Sequence, residues 1–186
     1  MYRLFAAIEV PEEVGEELLP ICQKVSGASW RPLENFHITL RFFGEVDHET
    51  ARELDHELGG IDDAQMQLHL KGAGWFGSSD PQALWAGVQP DESLSALSSK
   101  CEKAARRLGL PVEKRPYRPH VTLAYCHGTP LDEAARFAQK HALLDIGPFW
   151  VDRFHLFSSW SGKGPSRYVS EAEYPLHRPL KVGLPD

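Results

Sequence analysis

Apolar and polar positions along the chain divide it into short elements. The run "YRLFAAIEV" (2–10) reads as a strand, and in "PEEVGEELLPICQKV" (11–25) Val14, Leu18, Cys22 and Val25 recur at helical spacing behind acidic first-turn residues. "FHITLRFFGEV" (36–46) alternates as a strand does, and "DHETARELDHEL" (47–58) sets Ala51, Leu54 and Leu58 on one helical face with Asp47 as N-cap and Gly59-Gly60 as the stop. Two strands, "AQMQLHLKGAGWF" (64–76) and "QALWAGVQP" (82–90), flank the polar turn "GSSDP".

The same order then returns. A helix over 91–110 has the stripe Leu94, Leu97, Cys101, Ala104 and Leu108 and ends at Gly109. "RPHVTLAYC" (118–126) is a strand, and 129–142 is a helix with Thr129 as N-cap, Pro130 at its first position and Asp132 completing a capping box. "GPFWVDRFHLFSSW" (147–160) and "SRYVSEAEYPL" (166–176) are strands joined by "SGKGP". The rhythm of strand, helix, strand, helix, strand, strand in two halves predicts an α+β fold of two related lobes within one domain, 1–186.

Two strands carry the same unusual insert. Alternation puts Phe36, Ile38, Leu40 and Phe42 on one face of the first, with His37, Thr39, Arg41 and Phe43 on the other. In the second, Val121, Leu123 and Tyr125 oppose His120, Thr122, Ala124 and Cys126. His-x-Thr alone is a weak signal: all four threonines of the chain follow a histidine by two positions. The sets at His48 and His127 fall at helix starts and lack apolar alternation, whereas Phe-His-Ile-Thr-Leu and Pro-His-Val-Thr-Leu match each other. Two imidazoles facing one groove suit acid–base chemistry near neutral pH, and threonine hydroxyls can donate to phosphoryl oxygens, so a phosphodiester is the natural substrate, with no metal required.

Composition narrows the setting. A net charge of −6 disfavours coating a duplex but leaves room for a terminal phosphate in a local basic pocket. Cys22, Cys101 and Cys126 are widely spaced and odd in number, which argues against a disulfide framework or a metal clip. No apolar stretch suggests a membrane span or signal peptide, so the expectation is a cytoplasmic protein that needs nothing beyond a monomer.

Taken together, "RLFAAIEVPEEV", "SWRPLENFHITLRFFGEV", "GAGWFGSSDPQALWAGV", "RPYRPHVTLAY" and "LFSSWSGKGPSRYVSEAEYPL" resemble the 2H phosphoesterase superfamily, above all its bacterial RNA 2′,3′-cyclic phosphodiesterases, also called 2′-5′ RNA ligases. The resemblance implies a bilobal fold with pseudo-twofold symmetry, each lobe an antiparallel sheet with outer helices, and a central cleft carrying both motifs. It also implies hydrolysis of a 2′,3′-cyclic phosphate on an RNA 3′ end or a nucleoside to a 2′-phosphate, without metal, ATP or other cofactor. By the same likeness His37 is the proton donor to the 3′ oxygen, His120 the proton acceptor that activates water, and Thr39 and Thr122 their companions. The site run backwards would join a cyclic end to a 5′-hydroxyl in a 2′-5′ linkage.

Relatives often carry arginine where this chain has Tyr125. Arg41, Arg115 and Arg118 are the candidates to supply that charge, with Lys114 read as a solvated loop residue. Phe43 is the favoured base-stacking residue, ahead of Trp30, Tyr117 and Trp160. Cys126 reads as a space-filler, and His69 and His155 as core or edge histidines. Two other classes compete: a module that binds terminal phosphates without cleaving them, and a metallohydrolase, the latter weakened by the lack of an HExxH or Asp-rich run.

Overall fold

The computed structural model describes residues 1–178. Its first half runs β1 (Tyr2–Glu9), α1 (Glu12–Leu18), β2 (Ala28–Trp30), β3 (His37–Val46), α2 (His48–Gly59), β4 (Met66–Phe76) and β5 (Ala83–Val88). The second half runs α3 (Glu92–Arg107), β6 (His120–Cys126), α4 (Leu131–Lys140), β7 (Asp145–Val151), β8 (Arg153–Trp160) and β9 (Arg167–Pro175).

The strands form one antiparallel sheet in the order β7-β4-β5-β6-β3-β1-β8-β9, with β2 added on β6. At its centre β3 and β6 pair through Ile38 and Val121 alone, both fully buried. Four strands therefore extend to each side of a single bridge. One face is covered by helices, with α3 against β3 and α4 against β4. Leu4, Ala6, Ile8, Leu54, Leu94, Leu97 and Cys101 belong to this main core. The opposite face carries a small separate cluster of Phe5, Ala7 and Phe157, with Tyr168 against it.

Several local expectations change. The first helix stops at Leu18 and a 3₁₀ turn, Leu19–Ile21, replaces its predicted continuation, because Pro20 cannot donate a backbone N–H. Asp47 caps α2 as expected, its carboxylate accepting the Thr50 N–H at 2.8 Å. Thr129 does not cap α4: Pro130 holds that position, and the Thr129 hydroxyl is buried without a partner among the described residues. The strand expected over 147–160 is two strands separated at Asp152, since β7 pairs with β4 and β8 with β1 on opposite sides of the sheet. Strand β2 is only three residues long and escaped the periodicity reading.

Candidate active site

The Ile38–Val121 bridge fixes the site. Continuing its antiparallel register by one residue sets His37 across from Thr122 and Thr39 across from His120. Because Ile38 and Val121 point into the helix-covered core, their neighbours point to the opposite face, and all four are half-buried there. Diagonal neighbours on one sheet face lie roughly 7–8 Å apart, which is the relation of His37 to His120, and the His120 charge acts on the His37 ring.

Both histidines are held in the same way. His37 Nδ1–H donates to the Asn35 carbonyl at 2.7 Å, and His120 Nδ1–H donates to the Arg118 carbonyl at 2.7 Å. A carbonyl only accepts, so the proton sits on Nδ1 and Nε2 is the nitrogen left to exchange one. Aromatic rings shelter each imidazole. His37 lies 5.0 Å from Phe5 and edge-on to Tyr168 at 5.2 Å, and His120 lies edge-on to Phe76 at 4.8 Å with Trp85 at 6.5 Å. Burial lowers His37 to about 4, against the Asn35 carbonyl and with added push from the His120 charge. Burial likewise lowers His120, opposed by the Arg118 carbonyl.

Beyond the threonines both strands bulge at the same place. Partners step from Thr39–Ala7 to Arg41–Ala6, leaving Leu40 extra, and from Thr122–Trp85 to Ala124–Leu84, leaving Leu123 extra. In each, the extra residue is the leucine three after the histidine. The slip reverses the predicted faces. Phe42 is 54% exposed and packs on Phe5, while Phe43, the favoured stacking residue, is buried in the main core. Tyr125 is 42% exposed, while Ala124 and Cys126, both expected beside His120, are in the core.

The candidate cations change with it. Arg41 points away from the pair and bonds Glu102 of α3 and the Pro111 carbonyl. Arg115 pairs with Glu113 on an exposed loop, which holds the Glu113 carboxyl down at about 2. Arg118 contributes the carbonyl that orients His120. The other aromatic candidates are occupied: Trp30 packs on Phe137, the Tyr117 hydroxyl donates to the Thr39 carbonyl, and Trp160 Nε1–H donates to Ser158. His69 faces Asp145 at 3.3 Å, and His155 is buried, with Ser170 on its Nδ1 at 2.9 Å.

A cation outside the motifs stands beside Tyr125 instead. The Arg31 guanidinium lies 5.0 Å from the Tyr125 ring centroid, six positions before His37 in sequence but brought to β6 by β2. No periodic signal marked it. A cavity of about 380 Å³ opens beside His37, lined by Glu9, Glu34, Phe157, Arg167, Tyr168 and Ser170 among others. A larger one, about 600 Å³, lies by Trp150, Arg153 and His155, where Arg153 is already paired with Asp152 and Glu173. Among the described residues no three His, Cys, Asp or Glu side chains converge as metal ligands.

The pattern of the 2′-5′ RNA ligase superfamily matches residues 12–162. An RNA 2′,3′-cyclic phosphodiesterase of Escherichia coli is 34% identical over 90% of this chain and 92% of its own length. One of Archaeoglobus fulgidus is 29% identical over 88% and 94%. Among solved structures, E. coli LigT in apo form superposes with a TM-score of 0.78 at 27% identity, over 95% of this chain and 98% of that one. The same protein complexed with 3′-AMP gives 0.77 at 27% identity, over 94% and 98%.

Proposed function

Since the chain belongs to the 2′-5′ RNA ligase superfamily, we propose that it hydrolyses 2′,3′-cyclic phosphodiesters at RNA 3′ ends to 2′-phosphomonoesters. Nucleoside 2′,3′-cyclic phosphates are the minimal substrates. The observation that carries this reading is the crosswise register, His37 beside Thr122 and His120 beside Thr39, with each Nε2 left to exchange a proton.

His120 Nε2 takes a proton from water, and the water oxygen attacks phosphorus. The bond from phosphorus to O3′ breaks as His37 Nε2–H gives its proton to O3′, leaving a 3′-hydroxyl and a 2′-phosphate. Thr39 and Thr122 hydroxyls donate to the non-bridging oxygens as their charge grows. Proton exchange with solvent then returns both imidazoles to their starting forms. A 5′-hydroxyl in the place of water would join two ends by a 2′-5′ linkage. Names of relatives and the nucleotide-bound LigT structure support the substrate class.

We also infer that the two sides of the sheet are pseudo-twofold lobes of one domain with the cleft between them. Matching bulges, matching Nδ1 acceptors and the mirrored strand order support this.

Turnover of a nucleoside 2′,3′-cyclic phosphate in EDTA tests the reading. The wild type is expected to retain its rate, and His37→Ala and His120→Ala are each expected to lose about 10²–10⁴-fold in kcat while still unfolding cooperatively. Tight binding without turnover would leave a phosphate-binding module, and loss of rate in EDTA would bring back the metallohydrolase.

A further inference from the structure

The protein's arginines divide into those that hold a carboxylate and those that do not. Arg41 and Arg106 hold Glu102, Arg107 holds Glu57, Arg115 holds Glu113, Arg136 holds Asp132, and Arg153 holds Asp152 and Glu173. Arg31 has no carboxylate among the described residues. Its Nη2–H donates to Ser29 Oγ at 2.9 Å and, more weakly, to the Ser29 carbonyl. The side chain is half-buried, with the guanidinium over the Tyr125 ring. A charge drawn partly out of water is ordinarily compensated by an opposite charge, for which a tyrosine face substitutes only in part. This cation is therefore short of an anion.

Its surroundings connect it to the reacting centre. Tyr125 neighbours Tyr168, which feels the charges of Arg31 and of Arg3, and Tyr168 meets the His37 ring edge-on at 5.2 Å. Arg3 also lacks an ion pair among the described residues. In a chain of net charge −6, this places unpaired positive charge at one end of the cleft.

We propose that Arg31, seated on Tyr125, holds the phosphodiester one nucleotide upstream of the reacting cyclic phosphate, so that the preferred substrate is an RNA chain and not a lone nucleotide. This rests on the RNA-end reading above. The reacting phosphate already faces two imidazoles and two hydroxyls. Arg31 instead enters across from Leu123, whose carbonyl accepts its backbone N–H at 2.8 Å, and its guanidinium turns away from Thr122 along β6 to lie over Tyr125. The exposed Tyr125 ring adds a surface on which the base of that nucleotide can stack.

The test compares kcat/KM for a nucleoside 2′,3′-cyclic phosphate with that for a dinucleotide ending in the same cyclic phosphate. Arg31→Gln removes the charge while keeping a polar side chain and is expected to lower the dinucleotide-to-nucleoside ratio at least tenfold. Arg136→Gln, which removes an ion-paired arginine of α4, is expected to leave the ratio as in wild type. A second readout needs no turnover: fluorescence anisotropy of a short 3′-phosphorylated RNA across salt concentrations. Loss of one single-strand phosphate contact is expected to shrink the log–log salt slope by about 0.7. Equal loss on both substrates would put Arg31 on the reacting phosphate and overturn the proposal, as would an unchanged ratio with an unchanged slope. Were the wild type to hydrolyse neither substrate while the slope still fell in the variant, the hydrolase reading would fail and the anion subsite would stand.

Discussion

His37 lies under opposing pulls. Its imidazole is walled by Phe5, Phe157 and Tyr168, which disfavours the cation, while the Asn35 carbonyl on Nδ1 favours it. Burial wins, and the free site holds a neutral His37 at pH 7. As the proposed donor, His37 must be protonated, so its competent fraction in the free enzyme falls as pH rises through about 4. An acceptor must be neutral, so activity also falls as pH drops through the His120 value, which burial holds below its ordinary 6.5. The product of the two fractions is a bell in kcat/KM whose top lies on the acid side of 6.5, because both imidazoles are held below that value. A bound phosphate anion stabilises the His37 cation, so the alkaline limb of kcat is expected at higher pH than that of kcat/KM. A pH series of initial rates checks both statements, and a kcat/KM plateau extending above pH 7 would contradict the donor role.

Strand β3 shows what an element contributes beyond its residues. The alternation of Ile38 and Leu40 with His37 and Thr39 was legible because nothing interrupts it up to Thr39. Beyond that point one extra leucine in each motif strand shifts the side chains that follow to the other face, until a second irregularity at Phe43 of β3 returns Val46 to the core. A period-2 count has no means of registering either. Hence Phe42 and Tyr125 stand where Phe43 and Cys126 were expected. The fate of Arg41 was hidden for another reason. Its partner Glu102 is 61 residues away on α3, and distant pairing leaves no mark on local periodicity. The paired motifs meet only through Ile38 and Val121, so this contact should matter to activity more than its size suggests. Ile38→Ala is expected to cost about 2–5 kcal/mol in denaturant unfolding and to depress kcat even where the protein remains folded, while Ile38→Val costs about 0.5–1.5 kcal/mol and keeps most activity. Normal kcat in a folded Ile38→Ala protein would show that the site does not depend on this bridge.

At the scale of the molecule, the repeated order of elements and the α+β class could be read from the sequence, because long periodic segments specify their own type. How those elements assemble could not: one sheet carries all the strands, adjoining segments at Asp152 leave for opposite sides of it, and three-residue β2 delivers Arg31 to β6. Each depends on contacts between residues far apart in the chain. The charge distribution follows the same division of scale. The net charge of −6 describes the protein as a whole, while the charges of Arg31 and Arg3 act locally on Tyr168. Among the described residues no helix is long and apolar enough to cross a membrane. The most direct measurement is product analysis after incubating a 2′,3′-cyclic-terminated oligonucleotide with the wild-type protein in EDTA, resolving 2′-phosphate, 3′-phosphate and joined product. With His37 protonating O3′, the 2′-phosphate is expected as the hydrolysis product. A 3′-phosphate, or an unchanged cyclic end, would contradict that assignment.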